Sequence, residues 1–145
     1  MERLLASACL LGFECKYSGG SNALPDEELA ALRRKYLLVP VCPETAGGLP
    51  TPREPSERRG GKIVSREGKD VTANFAIGAD VALRLCRRFG CRKALLKERS
   101  PSCGSGEIYD GSFSGVLTEG DGAAAEAIKA AGVEIFGESR IKELL

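Results

Sequence analysis

Leu4-Leu5-Ala6-Ser7-Ala8-Cys9, followed at once by a loop containing Gly12, is the stretch on which the fold turns. A short apolar run without polar alternation reads as a strand buried on both faces, and such strands belong to parallel sheets covered on both sides. The pattern recurs along the chain. Leu37-Leu38-Val39-Pro40-Val41 runs into Cys42. Arg92-Lys93-Ala94-Leu95-Leu96-Lys97 leads into the polar turn Glu98-Arg99-Ser100-Pro101-Ser102-Cys103-Gly104, and Val133-Glu134-Ile135-Phe136 supplies a fourth strand. Pro40 lacks a ladder donor, so the second strand is expected at an edge or with an irregular end.

Helical patterns separate these runs. Pro25 and Asp26 open a helix over residues 26–36, with Glu27 and Glu28 in its first turn and Arg33, Arg34 and Lys35 in its last, a charge order that complements the helix dipole. Thr72 is the expected N-cap of a helix reaching Arg88, in which Phe75, Ala79, Ala82, Leu83 and Cys86 recur at helical spacing and which Gly90 ends. An alanine-rich helix is expected over 122–131, and Ser139 as the cap of a last short helix. Residues 108–115 read as a glycine-spaced loop or small hairpin. Residues 43–69 carry Pro43, Pro50, Pro52 and Pro55 and only one β-branched pair, Ile63-Val64; they read as a long ordered loop with a hairpin-like arm. Loops of that length are commonly functional, and this one is expected to cover the site. The element order specifies an α/β fold: a single domain over residues 1–145, a three-layer, Rossmann-like sandwich around a mostly parallel sheet.

Composition narrows the function. The 145 residues are 43% hydrophobic and 28% charged, as in a globular chain, and the formal net charge of +1 provides no general attraction to nucleic acid or anionic membranes. The N-terminal apolar run is too short to span a membrane and lacks the features of a signal peptide, so a cytoplasmic location is expected. Six cysteines in such a chain point to packing, metal or chemistry rather than to a disulfide framework. The absence of histidine removes imidazole acid–base catalysis, Cys-His nucleophile activation and a common zinc ligand.

In open parallel sheets ligands bind beyond the carboxyl ends of the strands, which is where Cys9, Cys42 and Cys103 emerge. Three thiolates there would cradle a soft metal and leave a position open for substrate. Cys86, on the apolar face of a helix, and Cys91, beside a strand, suit packing instead. Cys15, between Glu14 and Lys16, stands near enough to Cys9 to be a fourth ligand or a reactive thiol. Glu44 follows Cys42 closely and could act as a general acid or base, or be an exposed loop carboxylate. Ser100 and Ser102 could bind substrate, orient a water or cap their turn. The basic arm, Arg53, Arg58, Arg59, Lys62 and Arg66, could meet a phosphate or a nucleic acid, or simply be solvated.

Several of these residues form a larger pattern: Ser7-Ala8-Cys9-Leu10-Leu11-Gly12, Val41-Cys42-Pro43-Glu44, Gly47-Gly48-Leu49-Pro50-Thr51-Pro52-Arg53, residues 97–104 and Ile108-Tyr109-Asp110-Gly111. Together they resemble the thiouracil desulfurase family (domain of unknown function 523), in its short stand-alone form. The resemblance implies a [4Fe-4S] cluster held by Cys9, Cys42 and Cys103, with the fourth iron free for a substrate sulfur. It implies non-redox, hydrolytic removal of sulfur from 2-thiouracil or a related thiolated base, with Glu44 as the proton-transfer residue and Ser100 as an active-site hydroxyl. Ser102 is the alternative to Ser100 and a substrate-binding candidate. The implied partners are a small thiolated base or nucleoside and a sulfide acceptor; a thiolated tRNA is less favoured. Two other readings stand beside it: a zinc site completed by Cys15, and a cluster-free sulfur carrier or ligand-binding module with a persulfide on one cysteine.

Overall fold

In the computed structural model, which describes residues 1–145, the elements in chain order are β1 (Glu2–Ser7), α1 (Asp26–Lys35), β2 (Tyr36–Val41), α2 (Pro43–Ala46), β3 (Ser56–Arg59), β4 (Lys62–Ser65), α3 (Thr72–Phe89), β5 (Lys93–Leu96), β6 (Glu107–Tyr109), β7 (Leu117–Glu119), α4 (Ala123–Ala130) and β8 (Glu134–Gly137). Short 3-10 segments cover Ala8–Leu11 and Glu138–Glu143.

Side-chain alternation along the strands builds two cores. Leu4, Ala6, Leu95 and Phe136 pack on one face of the sheet with Leu29 and Leu32 of α1 and with Ile141 and Leu144 near the C-terminus. Leu5, Ala94, Leu96 and Ile135 pack on the other with Ala79, Ala82 and Cys86 of α3 and Ala124, Ala125 and Ile128 of α4. Because strand residues point alternately to opposite faces, apolar residues are needed at both parities, which explains the unbroken runs. The result is a three-layer α/β sandwich. Its sheet has the order β2-β1-β5-β8 and is parallel throughout, with β2 at an edge, where Pro40 opposite Ala6 costs no central ladder bond.

The local expectations fare unevenly. Gly90 ends α3 with φ of 65°, as read from sequence. Thr72 is the first residue of α3 rather than its cap: Val71 occupies the cap position, and the Thr72 hydroxyl instead accepts from Ile63 N at 2.9 Å, tying the helix to β4. Ser139 likewise lies inside the C-terminal 3-10 segment, and Gly137 precedes it at the cap. The segment 43–69 carries the expected hairpin-like arm, β3–β4, and also begins with a single helical turn, α2, that was not expected. Residues 108–115 belong to a second hairpin, β6–β7, which extends beyond them. No helix is long and apolar enough to cross a membrane.

Candidate active site

The sheet changes winding direction at β1, with β2 hydrogen-bonded on one side and β5 on the other. A crevice opens beyond the carboxyl ends of strands at such a reversal. Here it is a pocket of about 540 Å³, of a size suited to a small ligand. Cys9 reaches it from the 3-10 turn after β1, Cys42 from the residue after β2, and Cys103 from the turn beyond β5; Cys15 lines the same pocket from the loop after β1. Cys103 is thus brought in by its turn rather than by the strand end itself. No three cysteine, aspartate or glutamate side chains converge closely enough to share a single metal ion.

Glu44 is placed by the turn α2, which starts with Pro43 at a position where the missing N–H costs nothing. Two glycine-sized gaps seat this turn on α3. A Cβ at Gly78 would lie 1.8 Å from Pro43 O, and one at Gly47 would lie 2.0 Å from Asn74 O. Asn74 Nδ2 donates to Gly47 O at 2.9 Å and completes the contact. On this seat both Glu44 oxygens are engaged. Arg53 Nε donates to Oε1 at 3.0 Å, and Ser102 Oγ donates to Oε2 at 2.9 Å. The pair is sheltered, the Arg53 side chain being 7% and the Glu44 side chain 15% exposed. Arg53 also donates through Nη2 to Cys15 O at 2.8 Å, so one guanidinium fixes both the carboxylate and the Cys15 loop.

The hydroxyls form a directed chain. Ser100 Oγ accepts from Cys103 N at 2.7 Å and lies 3.2 Å from Ser102 Oγ. A hydroxyl has one proton to give, and that of Ser102 is directed at Glu44, so Ser100 donates to Ser102. The serines are held because their loop is seated on the first turn of α4. Ala123 N donates to Pro101 O at 2.9 Å and Ala124 N to Ser102 O at 2.8 Å, while Gly122 leaves no room for a Cβ against the Ser102 backbone.

The sulfurs share a desolvated setting with polar company. Burial pushes the Cys103 thiol up to about 12, against a hydrogen bond from Ser7 that favours the thiolate. Cys15 is also pushed up to about 12, by burial and then by Cys42. Cys9 is raised by burial; the Asn22 side chain opposes this most, with the Lys97 ammonium contributing in the same sense. Lys97 Nζ is itself paired with Glu138 Oε2, and Glu138 Oε1 accepts from Glu98 N at 2.7 Å.

Two hairpins contribute to the pocket lining, β3–β4 through Ser56 and Glu57 and β6–β7 through Tyr109. Arg58 Nη1 donates to Asp121 O at 2.8 Å, and Arg59 donates to Gly111 O through Nε at 3.1 Å and Nη2 at 2.7 Å. Arg58 and Arg59 therefore fasten β3–β4 to the rest of the fold rather than presenting a free anion-binding surface, and Arg53 is committed to Glu44. This removes three of the five cations from the expected basic arm.

The sequence profile of the 2-thiouracil desulfurase family matches residues 4–140. This chain belongs to that family. A Bacillus subtilis (strain 168) relative, the uncharacterized protein YbbK, is 40% identical over 152 residues, covering 98% of this chain and 99% of its own. The solved structure of a [4Fe-4S]-dependent thiouracil desulfidase, TudS, superposes with a TM-score of 0.94 at 47% identity, covering 99% of this chain and 95% of that one.

In this 2-thiouracil desulfurase family member, Cys9, Cys42, Cys103, Glu44, Ser100 and Ser102 all line one pocket, and Cys15 joins them. Cys86 and Cys91 are buried in the core over α3 and α4. Sequence reading did not find the clamp by Arg53 on Glu44, the approach of Asn22 and Lys97 to Cys9, or Glu57 and Phe113 in the pocket lining. The proximity of Arg53 to Glu44 in sequence was the one available signal; the other pairings join distant segments.

Proposed function

We propose that this chain removes the sulfur of a thiolated pyrimidine, 2-thiouracil or a related base, by non-redox hydrolysis, using a [4Fe-4S] cluster held by Cys9, Cys42 and Cys103. The observation that carries the reading is the meeting of three thiols with the Ser100–Ser102–Glu44 chain in a single pocket. The donor set suits the cluster. A zinc ion needs its ligands gathered about 2.3 Å from one centre. A cluster instead takes one thiolate on each of several irons, in keeping with sulfurs that line one pocket without converging on one ion. Raised thiols that must lose protons to bind also make loading pH-dependent. The lack of convergence on one centre is what weighs against the zinc reading.

When bound, the cluster supplies a Lewis-acidic iron with an open position for the substrate sulfur. The remaining work falls to the chain. Glu44 accepts a proton from the attacking water at Oε2, the oxygen that Arg53 does not hold. Ser102 then turns its hydroxyl away from the protonated acid toward Ser100, so the two serines can return the proton along the same path. Ser102 is the link in contact with Glu44, and Ser100 is the active-site hydroxyl at the far end. A carbon–sulfur double bond is exchanged for carbon–oxygen, water is consumed, and sulfide leaves for an acceptor without net electron transfer. The fastened hairpins beside the pocket favour a free base or nucleoside over a thiolated position inside folded tRNA.

Anaerobic reconstitution with iron and sulfide, followed by absorption spectroscopy, iron analysis and 2-thiouracil turnover, tests the assignment. Wild type is expected to take up roughly four irons per chain and release uracil and sulfide. Cys9→Ala, Cys42→Ala and Cys103→Ala should each lose stable cluster and turnover together. A colourless wild type that takes up no iron would return the zinc or persulfide reading to first place.

A further inference from the structure

Phe113 stands in a backbone conformation that its side chain disfavours. Its φ is 56°, in the left-handed region where glycine or asparagine is the inexpensive choice and a bulky residue is an outlier. The turn around it is held from outside. Glu57 Oε1, on β3, accepts from both Gly111 N and Phe113 N at 3.0 Å, while the Arg59 guanidinium donates to Gly111 O. Gly111 itself has φ of 94°, and a Cβ there would meet Arg58 O at 3.0 Å. Such over-determined strain marks a side chain held in place by the surrounding structure. The ring lines the pocket, and the Arg66 guanidinium, also a lining group, lies over it at 5.9 Å from its centroid.

We propose that Phe113 is the stacking surface for the planar pyrimidine ring of the substrate, and that Glu57 is the positioning residue that holds it in the pocket lining. The proposal rests on the reading of the pocket as a thiopyrimidine site. A pyrimidine has a π-face whatever its exocyclic groups, so an aromatic platform retains the ring without requiring a particular hydrogen-bond edge. The sulfur can then point inward toward the three thiols. The arrangement assigns recognition to the hairpins and chemistry to the strand ends.

The test uses the reconstituted full-length protein, steady-state kinetics with 2-thiouracil and calorimetric titration with the same compound. Phe113→Gly, which accepts the positive φ and so secures folding, and Phe113→Leu, which retains apolar bulk, are expected to raise KM and weaken binding about tenfold to hundredfold, with kcat within about twofold of wild type. Phe113→Tyr and Phe113→Trp should keep most of the affinity. Glu57→Ala should raise KM in the same way and Glu57→Gln, which retains the accepting oxygen, should restore it. Unchanged KM in both Phe113→Gly and Phe113→Leu, or a fall in kcat alone, would overturn the proposal while wild-type turnover left the desulfurase reading intact. Wild type that binds 2-thiouracil without turnover, with binding lost in Phe113→Gly, would sink the desulfurase reading and keep the platform. Wild type that neither binds nor turns over would sink both.

Discussion

The protein contains two populations of buried thiol, and burial does not tell them apart. Cys86 and Cys91 lie in the core between the sheet and α3, and burial followed by the neighbouring Cys91 pushes Cys86 up to about 11. Cys103, at the carboxyl edge, is pushed up to about 12 by the same cause. Between Cys86 and Cys103 the difference is in the company, whereas Cys91 has Cys86, the Arg3 charge and the Leu5 backbone acting in the sense that favours its thiolate. Ser7 directs a hydrogen bond to Cys103, and Asn22 and Lys97 act on Cys9, all in the sense that favours thiolate. Cys86 has only its fellow thiol, whose charge and hydrogen bond both raise it further. A cysteine is suited to hold a metal when polar groups outside the sulfur are arranged to lower the cost of its charge, so the surroundings are as much a part of the site as the ligand atoms.

The most severe challenge to this division is a change that leaves every thiol in place and removes only the acid. Glu44→Gln preserves shape and can still receive the Ser102 hydroxyl at its amide oxygen, but it gives up the bond from Arg53 Nε and cannot take a proton. Turnover should fall by about 10²- to 10⁴-fold, the range of a positioned general acid–base group, while iron content and spectrum stay as in wild type. If iron is lost as well, Glu44 belongs with the groups that hold the pocket together, and the separation between holding and reacting groups fails.

How much of this was legible in the sequence follows from the range of each interaction. Leu4-Leu5-Ala6 and Ala94-Leu95-Leu96 announce strands covered on both faces because both parities are apolar, and Pro40 announces the edge because proline cannot donate to a central ladder. Cys9 and Cys42 were legible because topology carries the ends of β1 and β2 to one rim, while Cys103 reaches the same pocket through the turn beyond β5. Thr72 was misread because the hydroxyl that could have capped α3 bonds to Ile63 across the turn, a contact decided by the β4 strand and not by the local motif. The basic arm was misread for the same reason. Arg58 and Arg59 meet the Asp121 and Gly111 carbonyls, acceptors that no local pattern reveals. Phe113 was invisible because neither its positive φ nor Glu57, which enforces it from another hairpin, is written in the residues beside it.

A gentler change probes the groups that surround the acid. Arg53 makes one bond to Glu44 and another to Cys15 O, and a lysine keeps the charge but cannot span both. Arg53→Lys is expected to lower kcat about tenfold, less than Glu44→Gln, with iron content retained. Turnover equal to wild type would show that charge alone orients Glu44 and that the fork geometry is incidental.

The smallest effect is expected on the other side of the comparison, at Cys86. An unfolded thiol titrates near 9.0 and the folded Cys86 near 11, so below pH 9 both states hold the proton and the contribution to stability is fully present. Between 9 and 11 the unfolded chain releases its proton while the folded chain keeps it, and this stability is lost as pH rises through the folded value. Cys86→Ala deletes the titration. Urea midpoints measured from pH 7 to pH 10.5 should therefore decline less steeply in Cys86→Ala than in wild type. At pH 7 the variant should be less stable by roughly 1 kcal/mol, a typical consequence of losing buried atoms. Cluster content and turnover should be unaltered, because this thiol lies in the core away from the pocket; if they fell, the two populations of cysteine would be coupled through α3 and could no longer be treated as independent.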